Sequence, residues 1–188
     1  MLGYIGYSLV LRVFQSDPPT AAETTVVVFA SVLPDLIDKP LAWQFGVFET
    51  GWGPSHSVFV AVPASVLALA VGWRLGTRSG TSFAFGYLLH LVGDVVPYSL
   101  GRSGLQFAPV LWPVGNPSPG EYGSFVGGVR DHAVEYAAQL AAGDITMTLV
   151  LQVGSVSLGT LLWLADGLPG LRLAVVSARR TVIELIPE

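Results

Sequence analysis

Phe83 to Leu100 reads FAFGYLLHLVGDVVPYSL. The stretch is apolar enough to cross a bilayer, yet His90 and Asp94 sit near its middle. Four residues make about one helical turn, so both side chains leave one face and can grip one ion or share one proton. An ionisable pair in a lipid-soluble helix is costly, and by default it marks function. The packing alternative is that Asp94 accepts a hydrogen bond from His90 and locks two helices together. The rest of the chain has to decide between them.

Of the 188 residues, 52% are hydrophobic and 12% charged, and the mean hydropathy is +0.61. A soluble domain carries about 25% charged residues. The fold expected is therefore all-α: a polytopic transmembrane helical bundle of one domain, residues 1–188, with about four to five spans and additional amphipathic helices. There is no cysteine, so any metal must be held by His, Asp and Glu. Those donors point to zinc, with manganese or magnesium as alternatives. Eight arginines stand against the single Lys39, a bias that suits a salt-adapted organism and a GC-rich genome equally. No basic cluster suggests nucleic acid, since the pair Arg179 and Arg180 fits a juxtamembrane anchor at least as well.

Upstream, Leu2 to Phe14 is apolar but shorter than the roughly 20 residues a span needs. It lacks the basic region and the cleavage site of a signal peptide. Ala21 to Ile37 is apolar again and closes with LPDLIDKP. Residues 39–55 read as an aromatic interfacial loop with Trp43 and Trp52. His56 opens the run Ser57 to Leu75, which ends among Arg74 and Arg78. Downstream, Gly101 to Gly123 is rich in proline and glycine and reads as a folded loop. Phe125 to Ala142 looks like an amphipathic helix, Ile145 to Ala165 like a last span, and the tail beyond DGLPGLR is amphipathic.

The cations orient this arrangement. With Arg12 cytoplasmic, successive crossings put Arg74, Arg78, Arg172, Arg179 and Arg180 on the same side and leave Lys39, Arg102 and Arg130 opposite. Asp35, Asp38, His56, His90 and Asp94 then gather near the non-cytoplasmic face of the cell membrane. Two imidazoles and three carboxylates at one depth have the chemistry of a divalent metal site. Such an ion acidifies water and polarises a phosphoryl or carbonyl oxygen. One of Asp35 and Asp38 could ligate while the other, Asp38, orients or deprotonates the water. Each is ambiguous singly: an Asp at a helix end is often a cap, and His56 after GPS could bond a loop carbonyl. His132 and Glu135 form a second pair, for which a solvated helix face is the simpler explanation.

The residues LPDLIDKPLAW, PSHS and HLVGD, with the opening GYIGYSL and the late DGLPGLR, resemble the YdjM-like family of membrane-bound, metal-dependent hydrolases, most closely the version found in halophilic archaea. The resemblance implies a distant likeness to zinc-dependent phospholipase C and related nucleases, where a HisxxxAsp helix supplies metal ligands. On that basis His90 and Asp94 fill the helix motif, His56 the ThrHisSer-type histidine, and Asp35 and Asp38 the LeuProAsp motif. Two departures accompany it. Two residues rather than one separate the aspartates, and Lys39 stands where the family has histidine. The family also has a histidine shortly before the GlyTyr of the first helix, where this sequence has Met1, Leu2 and Gly3; the expectation is weaker metal affinity than in a form extended upstream. The function implied is metal-dependent hydrolysis of a phosphoester such as a phospholipid in the bilayer. The other class is a non-enzymatic membrane protein, an ion or small-molecule carrier or a structural or regulatory component, using the same polar residues for packing or ion passage.

Overall fold

Four of the long helices begin where the sequence supplies a hydroxyl cap. A computed structural model of the protein describes residues 1–115, 117 and 124–171. Arg172, Arg179 and Arg180, assigned above to an amphipathic tail, lie outside these residues. The described helices are α1 (Leu2–Phe14), α2 (Ala21–Trp43), α3 (Val58–Arg74), α4 (Ser79–Ser99), α5 (Phe125–Ala142) and α6 (Met147–Ala165). Thr20 accepts from the Glu23 N–H while Glu23 accepts from the Thr20 N–H, a reciprocal capping box that starts α2. Ser57, Ser124 and Thr146 cap α3, α5 and α6 through their hydroxyls. Short 3-10 turns cover Pro54–His56 and Ala108–Val110. No strand occurs among the described residues, so the all-α expectation holds.

One boundary differs from the sequence reading. The run LPDLIDKP does not close α2; the helix passes through Pro34 and Pro40 to Trp43. Each proline removes one backbone donor, but packing against α4 keeps the segment helical. Asp35, Asp38 and Lys39 therefore project from a continuous helix, not from a frayed end.

Helix α4 is the central element, contacting α1, α2 and α3. Its glycines set the spacing. A Cβ at Gly86 would stand 2.4 Å from the Val27 carbonyl oxygen of α2, and one at Gly80 would stand 2.1 Å from the Ala68 carbonyl oxygen of α3. Small residues let helix backbones approach where lipid provides no hydrophobic drive.

Side-chain bonds tie together the end of the bundle where α1 stops and α2 starts. Arg78 donates to Glu23 Oε1 at 2.5 Å and also to Gln15. Asp166, at the end of α6, accepts from Tyr4 Oη at 2.5 Å, from Ser8 Oγ at 2.8 Å and from Arg12. Arg12 and Arg78 thus share one end of the bundle, and Arg74 is the last residue of α3 leading into it.

The exterior is largely apolar, and the interior mixes two hydrophobic clusters with buried polar side chains. Phe29, Val66, Leu67, Val156 and Leu161 are more than half exposed, whereas Ser8, Asp38, His56, Ser57 and Ser82 are fully buried. Apolar exteriors of this extent fit a lipid environment better than water. Among the described residues α6 is the helix long and apolar enough to cross a membrane by length and composition; α1 and α3, at 13 and 17 residues, are shorter apolar helices. Against the four to five crossings expected from the sequence, one described helix meets this criterion.

Candidate metal centre

Asp38 organises the loop that presents His56. Its Oδ2 accepts from the N–H groups of Gly53 and His56, each at 3.0 Å, and its Oδ1 from that of Ser55 at 3.2 Å. The sequence WGPSH makes this wrap possible. Pro54 opens the 3-10 turn, and Gly53 lies so close that an added Cβ would be 3.1 Å from Asp38 Cγ and 3.0 Å from the Phe48 ring. Tyr87 of α4 donates to the Ser55 carbonyl at 2.8 Å, and Ser57 Oγ to that of Trp112 at 2.6 Å. The turn is held from three sides.

The same carboxylate fixes the His56 ring. Nδ1 lies 2.8 Å from Asp38 Oδ2 and donates to it, which turns Nε2 away from Asp38 and toward α4. There, His56 Nε2 is 3.2 Å from His90 Nε2 and 3.3 Å from Asp35 Oδ1. Asp94 Oδ2 is 3.5 Å from each imidazole Nε2, and His90 Nε2 is 3.9 Å from Asp35 Oδ1. Asp35, His56 and His90, from α2, the 54–56 turn and α4, therefore each offer one atom to a common centre, all within 4.8 Å of one another, and Asp94 Oδ2 lies beside the two imidazoles.

The electrostatics favour a cation there. Burial opposes a charge on His56, but hydrogen bonds to Asp35 and Asp38 outweigh it and push its pKa up to about 9. Two imidazole nitrogens 3.2 Å apart repel through their lone pairs unless a proton or a metal lies between them. Asp94 Oδ2 is buried without a hydrogen-bond partner, the condition in which a missing cation leaves a ligand. Tetrahedral zinc with arms of about 2.0–2.1 Å separates its ligand atoms by about 3.3 Å; the separations among Asp35 Oδ1, His56 Nε2 and His90 Nε2, and from the two imidazoles to Asp94 Oδ2, run from 3.2 to 3.9 Å. The donor set fits a divalent ion. Lys39, one turn beyond Asp35, places Nζ 2.7 Å from Asp35 Oδ1.

All five residues expected from the sequence thus come together, in unequal positions. Asp38, expected to ligate or to act on water, stands behind His56 on the ring's far nitrogen, outside the group that could hold an ion. His132 Nδ1 donates to the Gly128 carbonyl at 2.8 Å, and the ring stacks on Trp43; it borders the neighbouring cavity without joining the group. Glu135 stays on the exposed face of α5, within 3.4 Å of Gln139. The start of α1 also reaches the site: Met1, Leu2 and Gly3 border a cavity of about 170 Å³ together with His90 and Asp94. The sequence reading missed Gly53, Ser55 and Tyr87 as supports. The signal available was GlyProSer immediately before a histidine, a turn whose N–H groups must find an acceptor.

Comparison with known families bears on the same residues. A family model described as YdjM inner membrane protein matches residues 1–166. The chain belongs to this family. All of the residues around the centre lie inside the matched range, as does α6, and the family name places the protein at the inner membrane. No curated protein and no solved structure matches the chain.

Proposed function

We propose that the protein is a multi-pass membrane protein that binds one divalent ion, zinc by the tetrahedral spacing, through Asp35, His56, His90 and Asp94. Asp38 holds the His56 tautomer and ring orientation, the usual task of a carboxylate behind a zinc-bound histidine. The observation that carries this reading is the convergence of four donor atoms on one centre, with Asp94 Oδ2 buried and otherwise unpartnered. The reaction that suits such a centre is hydrolysis of a phosphoester, in a lipid of the bilayer. When bound, the ion supplies a Lewis acid for a phosphoryl oxygen and an acidified water. The chain's own part is to present both imidazoles through Nε2 and to hold the reacting group at the end of the bundle away from Arg12 and Arg78. That end would face away from the cytoplasm under the cation rule.

The test is hydrolysis of a phosphodiester presented in mixed micelles by the purified protein and by His90→Ala. Zinc-dependent turnover lost in the variant supports the reading; turnover indifferent to zinc and to His90 rejects it. A non-enzymatic role has one observation in its favour, the Lys39 ammonium on Asp35, which knits the polar cluster without an ion. A protein that folds without metal and shows no turnover would support that alternative.

A further inference from the structure

Beside the proposed centre lies a cavity of about 400 Å³, bordered by Lys39, Trp43, Trp52, Asp94, Tyr98 and Tyr136 among others. Lys39 connects the two, since its Nζ bonds Asp35 while its side chain borders the cavity. Tyr136 accepts from Gln152 Nε2 at 2.7 Å, which leaves its own hydroxyl proton to donate. Gly51 leaves room for the lysine stem and the Trp43 ring, since a Cβ there would be 3.2 Å from each. The cavity therefore carries an ammonium, bonded to Asp35 and lying over the Trp43 ring, and a phenol donor, with Asp94 on its wall next to the centre.

We propose that this cavity is a subsite for a tetrahedral phosphoryl oxyanion, from a lipid headgroup or free phosphate, with Lys39 as its specificity-determining cation. The proposal rests on the metal reading above, and charge explains the dependence. Without an ion the ammonium is held 2.7 Å from Asp35 Oδ1 and the Asp94 carboxylate shares the wall, so the cavity is poorly disposed to an anion. A divalent ion held by Asp35 would take over that carboxylate and leave the ammonium to face the cavity. An ammonium so placed gives a phosphoryl oxygen a charge-assisted hydrogen bond. The volume is adequate for a headgroup-sized ligand, and the aromatic walls at this depth suit the interface at which headgroups lie.

The experiment titrates inorganic phosphate into purified protein in detergent, followed by phosphorus NMR. Wild type, Lys39→Met and Lys39→Arg are each compared after zinc loading and after chelation, with zinc content measured on the same samples. Zinc-loaded wild type should bind phosphate and chelated wild type should not. Lys39→Met should retain zinc and bind phosphate about ten-fold or more weakly, and Lys39→Arg should recover most of the loss. A parallel titration with phosphatidic acid micelles separates the sources: tighter binding of the lipid assigns a headgroup, and equal binding assigns free phosphate. Equal phosphate affinity of zinc-loaded wild type and Lys39→Met overturns the subsite and leaves the metal reading standing. A wild type that takes up no zinc removes both.

Discussion

The two ends of the bundle handle buried charge differently. At the end where α1 stops, each buried carboxylate meets an arginine: Asp166 has Arg12 and Glu23 has Arg78. Tyr4 and Ser8 complete the shell of Asp166, and the Thr20 N–H that of Glu23. At the other end, among the described residues, Asp35, Asp38 and Asp94 share one lysine, Lys39, which bonds Asp35, and Asp94 Oδ2 has no hydrogen-bond partner. The first end is closed by protein groups and reads as a structural lock. The second is built with equal care around Asp38 yet left open at its centre, and that difference separates a site from a clamp.

Substitutions sharpen the contrast. The largest loss should come from Asp38→Ala, which strips four donors of a fully buried acceptor; about 3–5 kcal/mol of stability should go, read as a fall in the melting temperature in detergent. Asp166→Ala at the opposite end should cost about 1–3 kcal/mol in the same melt, because Tyr4 and Ser8 lose their acceptor. Arg12→Ala should cost less, below about 1 kcal/mol, since this side chain is 39% exposed and solvent screens its pair. Asp94→Asn should have the smallest effect and the opposite sign. Without metal it removes a buried unpartnered oxygen and leaves stability unchanged or higher, while zinc affinity measured by competition with a chelating dye falls at least about ten-fold. Were Asp94→Asn as damaging to the metal-free fold as Asp166→Ala, the two ends would be alike and the contrast would fail.

Much of this was legible beforehand. His90 and Asp94 are read from helical spacing alone, because one turn places both on one face whatever the neighbours do. The meeting of Asp35 and His56 with that pair follows from alternating helix direction, which the arginine positions already suggest. The role of Asp38 was not legible. A carboxylate three residues from another looks the same in sequence whether it meets a metal or a loop, and the outcome depends on how residues 51–56 fold back. Lys39 was read as a loop cation because the LysPro pair suggests a helix end; packing against α4 carries α2 past it. A hydropathy reading singles out α6 and passes over α2 and α4 for a related reason, since the charged and polar residues that build the site lie in those two helices and dilute their apolarity.

The central claim is that the open end holds one divalent ion between two imidazoles. Zinc-edge X-ray absorption on protein equilibrated with equimolar zinc measures stoichiometry and ligands together. The account predicts one zinc per chain in a four-coordinate shell of nitrogen and oxygen that includes two imidazoles, with binding lost in the His56→Ala, His90→Ala double variant. Substoichiometric zinc in the wild type, or the same spectrum from the double variant, would contradict it.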